Sequence, residues 1–229
     1  MSFESICIVG QGRVGTALAA RLEGRLPVKV TKRQLECADA DLVLLCVPDR
    51  AIGGLAARIE QGPWVAHTSG ATTLAELAPH DRRFSVHPLQ TFSRSRGAEQ
   101  LDGAWAAVTS ENSEASKAGH ELAGLLGLRP FELPDEERAL YHAAATVAAG
   151  FLVTLHEAAA ELMRAAGAPP EALEPLMRRT MDNGFSPTGP HARGDWETVE
   201  RHLAEIRERR PDLERLYETL SELTVELAR

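Results

Sequence analysis

The sequence predicts an α/β protein in which a Rossmann-type, doubly wound parallel sheet is followed by a smaller all-helical domain. Up to about residue 134, short apolar runs alternate with helical stretches, a pattern typical of a parallel sheet wrapped by helices. Beyond that point apolar residues recur only at helical spacing. A glycine-rich turn joins the first apolar run to a helix. We therefore expect two domains, residues 1–134 and 135–229.

Six apolar runs in the first domain are predicted to be strands. They cover residues 6–9, 28–31, 42–47, 64–68, 84–87 and 104–109. The third run is almost continuously hydrophobic, as expected for a strand that is covered on both faces. The sequence therefore places it at the centre of the sheet.

The second domain begins with an unusually long predicted helix over residues 135–166, capped by Asp135. Its segment 143–149 is Ala or Val except at Thr146, so we expect burial between domains or between subunits. A further helix is predicted from Pro170 to Asn183, ended by Gly184 in the left-handed conformation. Two last helices are predicted, and they are capped by Asp195 and Asp212. The final helix has an apolar stripe of leucines.

Charge and composition exclude several classes of function. The formal net charge is -8 with no run of basic residues, which argues against nucleic acid as a partner. Apolar runs are shorter than the roughly 20 residues that span a bilayer, and no leader segment precedes the first strand. We expect a cytoplasmic protein without a membrane span. The three cysteines have no metal-like spacing, so we expect reduced thiols and no metal site.

The glycine-rich turn carries the first functional prediction. Gly10, Gly12 and Gly15 follow a strand and open a helix, the context that makes this spacing a dinucleotide-binding motif. Its glycines allow a tight turn and close approach of the backbone to a pyrophosphate, which the helix N-terminus attracts. The predicted contacts also include the intervening residues of the motif, namely Gln11, Arg13 and Val14.

The end of the second strand predicts which dinucleotide binds. NAD-binding versions usually place an acid there for the ribose hydroxyls, whereas this chain has Thr31, Lys32 and Arg33. A hydroxyl and two cations suit the additional phosphate of NADP. The alternative is a solvated basic turn, so NADP is the predicted cofactor rather than a demonstrated one.

Further candidates follow the other strands, because ligands of open parallel sheets lie beyond the carboxyl ends of the strands. Val47, Pro48 and Ser69 are predicted to line the cofactor. His67 and His87 are candidates for proton exchange, or else structural hydrogen-bonding residues. Gln90 and Arg94 are candidate substrate contacts, and the alternative for Arg94 is a place on a solvated loop.

Four segments resemble a family. They are HTSGA at 67–71, HPLQTF at 87–92, LYHAAATVAAGFLVTL from residue 140 and TGPHARGDWETVERHL from residue 188. The chain resembles Rossmann-like proteins with a C-terminal helical domain of unknown function. That group is similar to pyrroline carboxylate reductase, ketopantoate reductase, prephenate dehydrogenase and phosphogluconate-type dehydrogenases.

The resemblance implies an NADP-dependent oxidoreductase that dimerises through its helical domain. It also implies that the long helix faces the nicotinamide and that Arg193 contacts substrate. His142 is then the candidate acid or base, or else a histidine bonded within a buried helix interface. Gly150 departs from the asparagine expected in that helix, and glycine offers no polar side chain. Two hypotheses follow: a reductase or dehydrogenase of a small carbonyl or hydroxy-acid compound, or a non-catalytic NADP(H)-binding sensor or scaffold.

Overall fold

The computed structural model describes residues 3–32 and 35–228, which form a seven-stranded sheet and nine α-helices. The strands are β1 (Ile6–Val9), β2 (Val28–Thr31), β3 (Leu42–Leu45), β4 (Trp64–His67), β5 (Arg83–Leu89), β6 (Trp105–Ser110) and β7 (Arg129–Glu132). The helices are α1 (Arg13–Leu22), α2 (Ile52–Ala56), α3 (Ser113–Leu126), α4 (Arg138–Ala145), α5 (Phe151–Ala165), α6 (Leu173–Asp182), α7 (Gly189–Arg193), α8 (Trp196–Arg209) and α9 (Glu214–Leu227). The predicted Rossmann-like fold with a helical C-terminal region is confirmed.

The strand order is β2-β1-β3-β4-β5-β6-β7. Strands β1 to β5 are parallel, but β6 runs antiparallel to β5, so the predicted parallel sheet is mostly rather than entirely parallel. The connection from β5 to β6 contains only the short 3₁₀ helix Ala98–Leu101, and without a crossover helix the chain returns in the opposite direction. Strand β7 was not predicted, because its short run contains Pro130. Proline within a strand is tolerated mainly at the edge of a sheet, where β7 lies.

Strand β3 is an interior strand of the sheet, as predicted, and its four residues are fully buried. Successive side chains of a strand point to opposite faces. Accordingly Leu42 and Leu44 pack with α1 and α3 on one face, while Val43 and Leu45 pack with α2 on the other. Helix α3 is capped by Asn112, whose side chain accepts from two backbone amides, and ends at left-handed Gly127.

Two of the three cysteines form a disulfide, so the prediction of three reduced thiols is wrong. Cys7 of β1 is bonded to Cys37 of the β2–β3 connection, with 5.6 Å between their Cα atoms. Cys46 is a free, buried thiol. The prediction failed because the two partners are 30 residues apart, and only the parallel pairing of β1 and β2 brings the connection back over β1.

The chain divides into two compact units, Met1–Val147 and Ala148–Arg229. The division falls within the long helical segment rather than at residues 134 and 135. This segment is also less regular than predicted, since a π-helical turn, Thr146–Gly150, separates α4 from α5. Asp135 is not a helix cap; its carboxylate accepts the backbone amide of Leu74 at 3.0 and 3.1 Å.

The predicted burial of segment 143–149 is not observed within the single chain, where most of its residues are exposed. Within the described residues, one helical run, Asp135–Ala165, is long and apolar enough by length and composition alone to cross a membrane. Its 18-residue window has a mean hydropathy of 1.4, and 6% of that window is buried. A single helix of this kind is weak evidence of a membrane, because helices covered by other protein surfaces share its composition.

The second unit confirms most of the predicted helix ends. Gly184 has a φ of 68°, and the carboxylate of Asp195 accepts the Thr198 amide at 3.2 Å at the start of α8. Asp212, in contrast, caps nothing: its carboxylate pairs with Arg210 at 2.7 Å. The acidic residue is used for an ion pair rather than for the helix terminus.

Candidate functional site

The glycine-rich turn after β1 has the close packing that the motif requires. Gly10 adopts a φ of 123°, and a Cβ atom there would overlap the carbonyl oxygen of Cys46. A Cβ on Gly15 would overlap the carbonyl oxygen of Gly10. Above Gly12, however, no atom lies within 4 Å of the place a Cβ would take. The first and third glycines thus hold the turn together, and the second leaves open space over the backbone.

Helix α1 starts at this open space. Gly12 is its N-cap residue, no side chain caps it, and its first turn contains no acid. The unpaired amides and the helix dipole therefore favour an anion at this end. The side chains of Gln11 and Arg13 are exposed, whereas Val14 packs against the core. These residues fit a bound pyrophosphate.

The end of β2 lies beside the turn. The amide of Gly10 donates to the carbonyl of Thr31 at 2.8 Å, which fixes the distance between the two strands. Within the described residues the buried hydroxyl of Thr31 has no hydrogen-bond partner, and Lys32 is exposed. Arg33, the third predicted phosphate ligand, lies outside the described residues.

The ends of β3 and β4 complete this edge of the sheet. Val47 borders Gly10, with its Cγ1 3.3 Å from the place of a Gly10 Cβ, and Pro48 precedes a short 3₁₀ turn. Ser69 is engaged locally: its hydroxyl donates to the Thr72 hydroxyl at 2.9 Å and accepts the Thr72 amide at 3.0 Å. The Ser69 side chain therefore shapes the loop after β4.

Two predicted histidines come together at the same edge with a tyrosine. His87 of β5 and the Tyr141 hydroxyl share a 2.6 Å hydrogen bond through Nδ1, and the rings of His87 and His142 lie 6.1 Å apart at 74°. Both imidazoles rest on Gly70. A Cβ there would come within 2.5 Å of His142 and 2.9 Å of His87, so this arrangement requires glycine at position 70. We call His87, Tyr141 and His142 the first cluster.

A buried arginine lies beneath the first cluster. Arg138, at the start of α4, is 0% exposed. Its guanidinium donates to the hydroxyls of Ser85 and Thr109, each at 2.8 Å, and to the carbonyl of Ser69. The nearest described carboxylate partner, Asp135, is 3.9 Å away. A full positive charge is thus held mainly by neutral acceptors.

Burial and this charge fix the protonation of the first cluster. Burial, then the neighbouring His142 and Arg138, lower the pKa of His87 to about 4, against a weaker opposing effect of Asp49. Burial raises the pKa of Tyr141 to about 12, and Arg138 opposes that rise. At neutral pH His87 is an uncharged imidazole and Tyr141 keeps its phenolic proton.

His67, the third predicted histidine, is enclosed by protein and is not exposed at the edge of the sheet. It is fully buried, its Nδ1 accepts the amide of Ser69 at 3.2 Å, and its Nε2 has no partner among the described residues. Burial, followed by Arg138, lowers the pKa of His67 to about 3. Its placement supports the loop after β4, and a direct catalytic role for it stays a prediction.

A family match covers residues 104–224, from β6 to the last helix, and its description is a domain of unknown function, DUF2520. The chain belongs to this family. The family resemblance inferred from four segments is thereby confirmed. No curated protein matches the chain.

Several solved structures share the fold of this DUF2520 protein. A candidate NADP oxidoreductase from Bacteroides fragilis has 21% identity and a TM-score of 0.80, over 97% of this chain and 98% of the other. A Thermotoga maritima protein has 24% identity and a TM-score of 0.78 with the same coverage. The 1-pyrroline-5-carboxylate reductase of Streptococcus pyogenes has 16% identity and a TM-score of 0.63, over 99% and 98% of the chains. At these identities the likeness concerns the fold.

The remaining predicted substrate contacts of this DUF2520 protein are Gln90, Arg94 and Arg193. The Gln90 side chain donates to the Gln100 carbonyl at 2.9 Å and accepts the Thr91 amide at 2.8 Å, so it closes the β5–β6 loop. Arg94 is exposed on that loop, and Arg193 is exposed at the end of α7 in the second unit. Their predicted roles in substrate binding stay predictions.

Two residues of the site were missed by sequence reasoning. Tyr141 lies next to His142, but no pattern in its segment indicates that its hydroxyl bonds a strand residue 54 positions earlier. Arg138 follows three acids at the start of a helix, where a solvated charge is the usual expectation. Only the packing of α4 against β5 and β6 shows that these two side chains belong to the site.

Proposed function

We propose that this protein is an NADP(H)-dependent oxidoreductase that acts on a small carbonyl or hydroxy-acid compound. The observation that carries this proposal is the common location of two features in the first unit. The open, uncapped start of α1 and the first cluster both lie at the carboxyl edge of the parallel strands. Ligands of open α/β sheets bind at that edge.

The cofactor would be held by the turn and the two strands beside it. The amides at the start of α1 suit the pyrophosphate, and Lys32 suits the additional phosphate of NADP. Preference for NADP over NAD is supported by the lack of an acid at Thr31 and Lys32. When bound, the cofactor supplies or accepts the hydride.

The first cluster would handle the proton that accompanies the hydride. Reduction of a carbonyl compound consumes one proton at the carbonyl oxygen. We assign its donation to the hydroxyl of Tyr141, with the Nδ1–H of neutral His87 stabilising the phenolate that remains. His142, packed on the other side of His87, is the candidate for returning the proton from solvent.

The competing function is a non-catalytic NADP(H)-binding sensor or scaffold. It is favoured by Gly150, which lies in the π-helical turn and brings no polar group to the helix. The variant His142→Ala separates the two functions. An enzyme loses turnover and keeps its affinity for NADPH, whereas a sensor has no turnover in any carbonyl or hydroxy-acid screen.

Calorimetric titration with NADPH and NADH tests the cofactor. A charged hydrogen bond contributes roughly 1.5 to 3 kcal/mol, so NADPH should bind at least about tenfold more tightly than NADH. The Lys32→Glu variant should lose this preference, while Lys117→Glu, an exposed residue of α3, should keep it. If neither nucleotide binds the unmodified protein, the proposed function is wrong.

We further propose a cytoplasmic homodimer in which a second copy covers the helical region. The apolar side chains that support this include Leu140, Val147, Phe151 and Val153, which are 55% to 72% exposed in the single chain. Light scattering should give twice the mass of one chain, and Val153→Glu should reduce it to one. Flotation of the protein with lipid vesicles in place of dimerisation would contradict this proposal and favour a membrane-bound helix.

A further inference from the structure

The connection between β2 and β3 differs from that of an ordinary parallel crossover. Parallel strands are normally joined by a helix, but the described residues between Thr31 and Leu42 form neither helix nor strand. Leu35, Cys37 and Ala40 pack against the core below them. We call residues 35–41 the crossover segment.

One covalent bond ties the crossover segment to the sheet. Cys37 is bonded to Cys7, which is 1% exposed and lies three residues before Gly10. An ion pair also links the segment to β2: Lys29 and Glu36 lie 3.2 Å apart, with both side chains more than half exposed. Exposed ion pairs contribute little to stability. Hydrogen bonds hold the other end of the segment, where the Asp41 carboxylate accepts the amides of Glu4 and Ser5 at 2.8 and 3.0 Å. The disulfide is therefore the covalent tie of the part of the crossover segment next to β2.

Solvent reaches the disulfide from two sides. Cys37 is partly exposed and borders a cavity of about 500 Å³, which Cys7 also lines. On its other side Cys37 borders a second cavity of about 200 Å³ near Arg58. Cys46 contrasts with this pair, because full burial raises its pKa to about 12 and keeps it a protonated, unreactive thiol.

We propose that Cys7 and Cys37 are a redox-active pair whose oxidation state sets the order of the crossover segment and, through it, the affinity for NADP(H). The part concerning affinity rests on the proposed function. Cys7 leads into the glycine-rich turn, and the crossover segment follows the end of β2. The bond thus joins the strand that leads into the turn to the segment that follows β2.

The chemistry is thiol–disulfide exchange with a small-molecule disulfide as oxidant. The Cys37 thiolate attacks one sulfur of the oxidant, forms a mixed disulfide and releases one thiolate. Cys7 then loses its proton to solvent and attacks the Cys37 sulfur, which releases the second thiolate. Two cysteines are oxidised, one disulfide is reduced to two thiols, and a dithiol reverses the reaction.

The experiment compares the full chain equilibrated with reduced or with oxidised glutathione. After denaturation and alkylation, intact mass should show one label in the oxidised protein and three in the reduced protein. Hydrogen exchange of residues 35–41 should be faster in the reduced protein. NADPH should bind the reduced protein about tenfold more weakly, the loss expected when roughly one more residue is ordered on binding.

Two variants complete the test. Cys37→Ser should exchange and bind like the reduced protein in both buffers, whereas Cys46→Ser should respond like the unmodified chain. Three labels in both buffers, or equal exchange in the two states, would overturn the redox-active pair. If both states show the expected labels and exchange but neither binds a nucleotide, the proposed function fails and the thiol pair stands without its effect on cofactor.

Discussion

The two units of the molecule each contain a cluster of two histidines and a tyrosine, and the clusters differ in their surroundings. In the first, His87 and Tyr141 share a 2.6 Å hydrogen bond above the buried Arg138. In the second unit, His202 and the Tyr217 hydroxyl share a bond of 2.7 Å through Nδ1. There His202 is exposed, and its ring meets that of Tyr217 edge to face.

The second cluster serves to join helices. His191, from the segment TGPHARGD, bonds the Ser221 hydroxyl at 2.9 Å, and its ring lies 5.9 Å from that of Tyr217. This links α7 and α8 to α9. Residue type and hydrogen-bond length are therefore not enough to identify a reactive site. The first cluster is distinguished by the buried charge of Arg138, beside which the pKa of His87 is lowered to about 4.

The largest expected difference concerns the arginine. Arg138→Ala removes a buried cation that bonds three acceptors and leaves a cavity, so the free energy of unfolding should fall by about 3 to 5 kcal/mol. Arg207→Ala, which breaks exposed ion pairs with Glu214 and Glu218, should lower it far less, because exposed ion pairs contribute little to stability. Urea unfolding measures both values. Equal losses would remove the distinction between the clusters.

Tyrosine substitutions compare the two clusters in activity. Tyr141→Phe should lower kcat about 100-fold or more, as loss of a general acid does, while Tyr217→Phe should leave kcat unchanged. Both variants should bind NADPH like the unmodified protein. An unchanged kcat in Tyr141→Phe would exclude the assigned proton donor.

The same variants allow a direct spectroscopic control, because the chain has only these two tyrosines. In Tyr217→Phe the remaining phenol is that of Tyr141, and its ultraviolet titration should show a pKa of about 12. Ionisation near pH 10 would mean that Tyr141 is solvated and not buried over Arg138.

Acid should destabilise the first unit through its neutral histidines. The pKa of His67 is lowered to about 3 and that of His87 to about 4, from 6.5. As the pH falls below 6.5 the unfolded chain takes up protons first, so stability is lost from pH 6.5 down to the folded-state pKa values, about 4 for His87 and about 3 for His67. At pH 4.5 the loss should be on the order of 2 kcal/mol per histidine.

Urea unfolding at pH 7 and pH 4.5 measures this loss. His87→Gln cannot take up a proton at that position, so its stability should depend less steeply on pH than that of the unmodified chain. A parallel pH dependence in the variant would show that His87 is not held neutral by its surroundings.

The smallest effect is expected in the second cluster. His202→Ala removes an exposed hydrogen bond to Tyr217, which should cost about 1 kcal/mol or less. Turnover should be unaffected. A loss as large as that of Arg138→Ala would show that the second unit depends on this cluster far more than its exposure indicates.

Local patterns were sufficient for most of the fold. Apolar runs located six strands, and the glycine spacing located the turn before α1, because both depend on neighbouring residues. Strand β7 and the reversed direction of β6 depend on how distant segments pair, which periodicity does not record. The disulfide between Cys7 and Cys37 was missed for the same reason.

The candidate site was predicted in part. His87 and His142 were identified from their places after a strand and on a helix, and they do lie together. Arg138 and Tyr141 were missed, since their roles arise from burial by α4 rather than from any pattern in their own segment. The substrate contact predicted for Gln90 stays a prediction, and the use of its amide within its own loop was not foreseen.

A substitution at position 70 would change the arrangement of the first cluster separately from the glycine-rich turn. The backbone of Gly70 is the surface on which both imidazoles of the first cluster rest, and the glycine-rich turn belongs to a different strand connection. One added methyl group should therefore push the histidines apart without altering the glycine-rich turn. If the proposed function holds, Gly70→Ala should be a minimal inactivating change, suited to trapping cofactor and substrate together in a crystal.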